Sequence, residues 1–244
     1  MEWLNTLLAT PTIGIAFPRD QHRFLSFPPK LGNYLNTITN NGMSISYTTN
    51  NELIEISQNN KFTIKIMPND LSVGFSYQIA AEREPGGIPK INDVNLRPYR
   101  ELLDETIRVF LDIYKSYFEG LTSPINRLGV VAVVTMKQGD VPPGIKKIID
   151  HIGLPWKSHP LNYNISMRFP LVENGSIVET CMHRLIGIDD ERKDFLCLLD
   201  WQRLFKTAKA FNATTITAEI SDCIKASSEY IQKFGVGELE YFNE

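Results

Sequence analysis

Cys181-Met182-His183 places a thiol and an imidazole two residues apart. On an extended strand both side chains point to one side, where they could begin a metal site or pair as nucleophile and base. His151 or His159 could complete a metal shell. Sites of that kind bring their ligands in two tight pairs, and a second pair is missing, so no metal is expected. A cysteine nucleophile needs a base and a third group to orient that base, and the sequence names no such group. The plain expectation is a strand with a half-buried cysteine and an exposed histidine.

Asp189, Asp190 and Glu191 are followed by Arg192 and Lys193. Paired carboxylates suit magnesium, but a mixed-charge run between two strands reads as a solvated hairpin turn. Asp200 closes an apolar stretch and is expected as a strand-end turn or a cap for the segment from Gln202 onward. Gly86-Gly87 lacks a following lysine and hydroxyl, and Gly235-Val236-Gly237 comes after a helix, so neither forms a phosphate loop. No catalytic residue and no cofactor are expected. Arg19, His22, Arg23 and Lys30 form one small basic cluster that could touch nucleic acid. Trp3, Trp156, Trp201, Tyr241 and Phe242 lie near the ends of predicted elements or in the tail, where such residues serve protein interfaces.

These groups must be carried by an ordinary globular chain. With 43% apolar and 22% charged residues among 244, a substantial core can form without a staple. A formal net charge of −3 argues against a broadly basic nucleic-acid surface. Cys181, Cys197 and Cys223 are odd in number and widely spaced, which predicts reduced thiols in a cytoplasmic protein rather than a disulfide framework. Residues 1–10 lack a positive region, and Pro11 cuts their apolar run, so a signal peptide is not expected. The longest apolar run, 128–134, is far short of the roughly 20 residues of a membrane span.

The clearest element is a helix over 98–119. Tyr99, Leu102, Leu103, Thr106, Ile107, Phe110, Ile113, Tyr114, Tyr117 and Phe118 recur at three- and four-residue steps and share one face. Pro98 suits its first turn and Gly120 the residue past its end. Before it come a strand at 12–17 and a short helix after Pro28-Pro29 carrying Leu31, Tyr34, Leu35 and Ile38. Four short strands follow at 43–48, 53–57, 62–67 and 71–79, then a loop over 82–95. The alternation and short connections predict antiparallel pairing with one buried face. The second part repeats this order. It has a strand at 127–136, a short helix with Ile145, Ile148, Ile149 and Ile152, strands at 163–172, 177–186 and 194–201, and a closing helix over 215–234. Asn174-Gly175 marks a tight hairpin.

A common offset ties the halves together. Pro28-Pro29 and Pro142-Pro143 are 142 − 28 = 114 residues apart, and the same step carries Leu102 to Ile216, Thr106 to Ile220, Phe110 to Ile224 and Tyr117 to Ile231. The expected fold is α+β: two pseudo-duplicated β-α-β(3-4)-α units, 1–120 and 121–244, in one compact body. A curved antiparallel sheet would carry both long helices on one face. This order of elements resembles the TATA-binding-protein-like fold. The nucleic-acid saddle of that family implies basic and wedge-forming residues on the open face, whereas Ser44, Ser46, Thr63, Lys65, Ser72 and Ser76 are polar and hardly basic.

A second resemblance rests on "YRELLDETIRVFLDIYKSYFEGLTSPINRLGVVAVVT" from Tyr99 and "FLCLLDWQRL" from Phe195. These stretches resemble an uncharacterised, sporadically distributed prokaryotic family in which a long helix leads into an "RLGLRY-N"-type strand and a late strand reads "LLDID". Val131 and Trp201 depart from that pattern. The resemblance implies no catalytic residues. The expected function is a non-catalytic subunit or adaptor of a prokaryotic assembly, such as one in anti-phage defence. It would bind another protein or a second copy of itself, with no membrane role. A nucleic-acid platform on the concave sheet face is the alternative. A metal-dependent enzyme on a nucleotide or nucleic acid, using Asp189, Asp190 and Asp200, is the third reading.

Overall fold

The computed structural model describes residues 2–39, 45–50, 52–58, 61–77, 96–118, 122–153, 162–189 and 194–237. Its strands are β1 (Leu8–Ala16), β2 (Ile45–Thr49), β3 (Ile54–Gln58), β4 (Phe62–Met67), β5 (Asp70–Phe75), β6 (Ser123–Lys137), β7 (Asn162–Glu173), β8 (Ser176–Asp189) and β9 (Asp194–Phe211). Its helices are α1 (Gln21–Thr39), α2 (Tyr99–Phe118), α3 (Pro143–Gly153) and α4 (Ala213–Val236). The strands form one curved antiparallel sheet in the order β2-β3-β4-β5-β1-β6-β9-β8-β7. Each half begins with a strand that pairs with the last strand of its own half, and these first strands, β1 and β6, pair with each other at the centre.

Alternation decides which face is covered. Ile13, Val73, Ile64 and Ile56 lie opposite one another across four strands, and all are fully buried. Val130 and Trp201 extend the same row across the centre. α2 packs on β1 and β5, and α4 packs on β9 and β6, so both long helices sit on this face and touch each other. α2 presents Phe110, Ile113, Tyr114, Tyr117 and Phe118 to the sheet. Each such burial contributes roughly 1.5–3 kcal/mol relative to exposure. Tyr114 also clips the halves together. Its hydroxyl is hydrogen-bonded to the Ser123 hydroxyl and donates to the Phe211 carbonyl at 3.2 Å.

Several boundaries differ from those expected. β1 starts at Leu8 and passes through Pro11, because pairing with β5 begins only at Thr12 and that side carries no ladder beside the proline. α1 starts at Gln21 and runs through Pro28 and Pro29 rather than beginning after them. Asp20 caps it, its Oδ1 accepting from the Arg23 N–H at 2.9 Å, and buried Phe24, Phe27 and Leu31 hold it down despite two missing donors. α4 is capped by Asn212, which accepts from the Thr214 and Thr215 N–H groups, and it ends at Gly237 in the left-handed region. The hairpin at Asn174 (φ 50°) and Gly175 (φ 74°) has the two positive-φ residues its sequence predicts. β7 is one margin of the sheet; it carries Pro170 and a register shift between Leu171 and Val172. The expected turns at 40–42 and 59–60, the loop over 82–95 and the cap at Gly120 lie outside the described residues.

α3 crosses α4 at Gly144, where an added Cβ would come within 2.5 Å of the Phe234 carbonyl oxygen. Gly144→Ala is therefore expected to destabilise the protein by about 1–3 kcal/mol. Gly32→Ala, in α1 with nothing within 4 Å, is expected to be neutral or to gain up to about 1 kcal/mol. Urea denaturation of the two variants checks the contrast.

Candidate functional site

Cys181 and His183 do share one face of β8, and it is the face turned toward the helices. The register sets Cys181 opposite Arg203 and His183 opposite Trp201 on β9, with Phe169 and Met167 opposite them on β7. α4 lies above with Tyr230 and Phe234, and α3 contributes Ile148. Between them is a cavity of about 330 Å³. The His183 ring is held among aromatic rings, with centroids 4.2 Å from Tyr230, 5.0 Å from Phe169 and 6.5 Å from Trp201.

From α4 the cavity is lined by Ala226, Glu229, Tyr230, Lys233 and Phe234. The offset of 114 residues that carries Tyr99 to Ala213 also carries Ile113 and Tyr114 of α2 to Ser227 and Ser228 of α4. Asp112 falls on Ala226. Ser227 and Ser228 are smaller than Ile113 and Tyr114, but neither lines the cavity; Ser228 lies in a separate groove with Ser221 and Lys225. On β7, at the sheet margin, Tyr163, Ile165, Met167 and Phe169 stay only half-buried.

Electrostatics set the chemical state of the pair. Burial, reinforced by the charge of Lys233, lowers the His183 pKa to about 4, so the imidazole is neutral at pH 7. Burial pushes the Cys181 thiol up, and the nearby Glu179 charge adds to that. A nucleophilic cysteine needs the opposite shift, toward the thiolate. Among the described residues no group of three or more His, Cys, Asp and Glu side chains could hold a metal.

At one end of the cavity lies a charge cluster that β9 would not be expected to hide. Arg203 points inward, hydrogen-bonded through Nε and through Nη2 (2.9 Å) to Glu179 and through Nη1 to Glu219 of α4. Lys209 approaches Glu179 at 3.5 Å. Glu179 is 3% exposed. Burial would raise its pKa, but the hydrogen bonds and charges of Arg203 and Lys209 together hold it below the usual carboxylate value.

The opposite face of the sheet carries no described helix. In the first half it is polar, with Thr63, Lys65 and Ser72. Lys65 pairs with Glu55 at 3.4 Å, and Arg127 of β6 pairs with Asp70 at 2.9 Å. In the second half it is largely apolar. Val133, Leu198 and Ile186 form a half-buried row across three strands, next to Val131 and exposed Leu196. Asp200 lies within this surface at 4% exposure, and the Gln202 Nε2 donates to its two oxygens at 3.0 and 2.7 Å. Burial raises its pKa; the Gln202 bond and the charges of Arg184 and Arg127 offset part of that.

The structure redistributes the other expected site residues. Asp200 sits in mid-strand, not at a strand end, because β9 continues to Phe211. Asp189 pairs with Phe195 and Asp200 with Arg184, so their backbones are five positions apart along the β8–β9 ladder, roughly 17 Å. Trp201 is a core residue at 3% exposure, not a surface aromatic, since its register points it under α4. Trp3 is partly buried, and its Nε1 donates to the Ile231 carbonyl at 3.0 Å. His22, Arg23 and Lys30 gather in one groove with Asp20, Tyr117 and Phe118, where Arg23 lies 4.8 Å over the Phe118 ring. That groove is on the helix side; Arg19 bonds Gln21 nearby. His151 is exposed on α3. Trp156, His159, Asp190, Glu191, Arg192, Lys193, Tyr241 and Phe242 lie outside the described residues.

Sequence reasoning missed the β7–β8 tip. Leu171, Val172 and Ile177 are 49%, 53% and 46% exposed. Pairing of β8 with β9 stops at Glu179, so beyond it, among the described residues, the two strands pair only with each other. The signal was present in the three apolar residues flanking Asn174-Gly175. Neither a protein-family model nor a curated protein matches the chain.

The folded pKa of His183 lies below its ordinary 6.5, so its contribution to stability is complete above about pH 6.5 and is lost as the pH falls toward 4. His183→Gln is expected to flatten that part of a stability-against-pH curve measured by urea denaturation, with Glu229 and Lys233 at the cavity left in place. Arg203→Met strands Glu179 in a buried position and is expected to destabilise the fold by about 3 kcal/mol at pH 7. Since the Glu179 pKa is held down in the fold, that loss is expected to shrink as acid protonates it.

Proposed function

We propose that the protein is a non-catalytic subunit or adaptor of a larger prokaryotic assembly and that it works by binding another protein. The observation that carries this reading is the β7–β8 tip, where Leu171, Val172 and Ile177 are exposed together on two strands beside which no further described strand pairs. Clustered exposed apolar side chains on a projecting element mark association surfaces. The apolar row of Val133, Leu198 and Ile186 on the uncovered sheet face offers a second contact area in the same half.

Two further features favour binding over reaction and protein over nucleic acid. The thiol and imidazole of Cys181 and His183 are both shifted toward their neutral forms. On the open face, Lys65 and Arg127 are paired with carboxylates rather than turned to a phosphate backbone. No described helix is long and apolar enough to cross a membrane, and three free cysteines accord with a cytoplasmic setting. The resemblance to a scattered prokaryotic family supports an accessory role such as anti-phage defence.

The test uses the full chain and a Leu171→Lys/Ile177→Lys variant. The wild type is expected to capture a defined partner from its native host, and the complex is expected to re-form from purified components. The variant should bind roughly thirtyfold more weakly, the effect of losing a hot spot of about 2 kcal/mol, while unfolding at an unchanged urea midpoint. A wild-type dimer that the variant dissolves would assign the same tip to self-association. A monomeric wild type that forms no reconstituted complex removes the reading.

A further inference from the structure

We propose that the cleft beneath α4 is the seat of the segment that follows this helix in the same chain, residues 238–244, with the rings of Tyr241 and Phe242 docked against Met167, Phe169 and Tyr230. Three observations converge on it. The first is how α4 ends. Gly237 closes the helix in the left-handed region at φ 76°, and its N–H donates to the Lys233 carbonyl at 3.0 Å. Lys147 of α3 donates to the Gly237 carbonyl at 2.9 Å, which pins the point from which the segment departs. Trp3 packs on Gly235, while Pro143 and Gly144 pack on Gly237 and Phe234, so two sides of the last turn are taken. The side with Tyr230 and Lys233 faces the cleft.

The second is reach. The α4 residues that line the cleft run from Ala226 to Phe234, and these 234 − 226 = 8 helical steps span about 12 Å. Gly237 lies 237 − 234 = 3 steps farther on, about 5 Å. Residues 238–242 cover about 17 Å when extended. A segment that runs back along α4 from Gly237 therefore brings Tyr241 and Phe242 within the length of the cleft.

The third is chemistry. The cleft holds about 330 Å³ and is walled by Phe169, Trp201, Tyr230 and Phe234, with Met167 as an adaptable side chain at its margin. Met167, Phe169, Cys181 and Ala226 stay only part-buried there, so apolar surface remains that a further apolar group would cover. The segment reads ELEYFNE and supplies two adjacent aromatic residues, which gain from edge-to-face and offset contact with the rings of the wall. Charge agrees with this choice. The segment carries three glutamates, and the end of the cleft from which it starts carries Lys147 and Lys233. Tyr241 and Phe242 are then packing residues of their own chain rather than a contact surface for others. The seat lies on the covered side of the sheet and does not depend on the association surface proposed at the β7–β8 tip.

Cys181 reports on the seat, because it lines the cleft and is part-buried, whereas Cys197 and Cys223 are fully buried. Alkylation of the folded full chain by iodoacetamide, read by peptide mass spectrometry, is expected to modify Cys181 roughly tenfold faster in Tyr241→Ser/Phe242→Ser than in the wild type, the factor for a segment docked about ten to one. Cys197 and Cys223 should stay unmodified and the circular-dichroism spectrum unchanged. In the wild type, nuclear Overhauser contacts should link the Met167 methyl group to ring protons of Tyr241 or Phe242. They should vanish in a mixture in which one copy carries the methyl label and another the ring label. Equal alkylation rates, the absence of any contact between Met167 and either ring, or contacts that arise only between differently labelled copies would each overturn the proposal.

Discussion

The antiparallel pairing of β1 with β6 is the constraint on which the rest depends. Nine residue pairs, from Leu8 with Thr135 to Ala16 with Arg127, join two halves that would otherwise be separate sheets. Because the register is fixed, the inward residues of one half continue as the inward residues of the other. A slip of one position would turn Ile13 and Ile15 to the open side and leave α2 without a floor. The seam therefore dictates that both long helices share a face. Tyr114 reinforces it by reaching from α2 to Ser123 and Phe211.

Once the seam is set, the halves differ in what packs beneath each long helix. α2 fills the space above its strands with phenylalanine and tyrosine rings. α4 meets its strands with Ala226, Glu229, Tyr230, Lys233 and Phe234 around a cavity bounded by His183 and its ring neighbours. The same helix holds its strands partly by charge, through Glu219 and Arg203, instead of by apolar fill alone. A buried ion cluster demands partners on every side, and Glu179, Glu219 and Lys209 supply them. The two halves thus share a topology while differing in what they can enclose.

Much of this was legible in the chain. The period of α2, the Asn174-Gly175 turn and the step of 114 residues each have a local physical origin, and local rules read them. The misses share a different cause. β9 was expected to end near Trp201 because Asp200 closes its apolar stretch; the strand instead continues, and Arg203 turns inward because Glu179 and Glu219 come from elements distant in sequence. Pro28 and Pro29 were read as a helix start, yet α1 passes through them because Phe24 and Phe27 find a floor on Tyr117 and its neighbours. Cys181 and His183 were placed correctly on one strand face, but their surroundings come from four other elements, β7, β9, α3 and α4, so the aromatic enclosure could not be read from spacing.

The margin at β7 has a consequence for how the molecule keeps company. A twelve-residue outer strand is a standing invitation for a stranger's strand to dock and begin a polymer. Pro170 withholds an N–H from that margin, and the register shift beside it bends the ladder out of line. The greasy tip lies just past this interruption. The exposed apolar tip is therefore set beside a margin that offers no long, regular template for fibre growth.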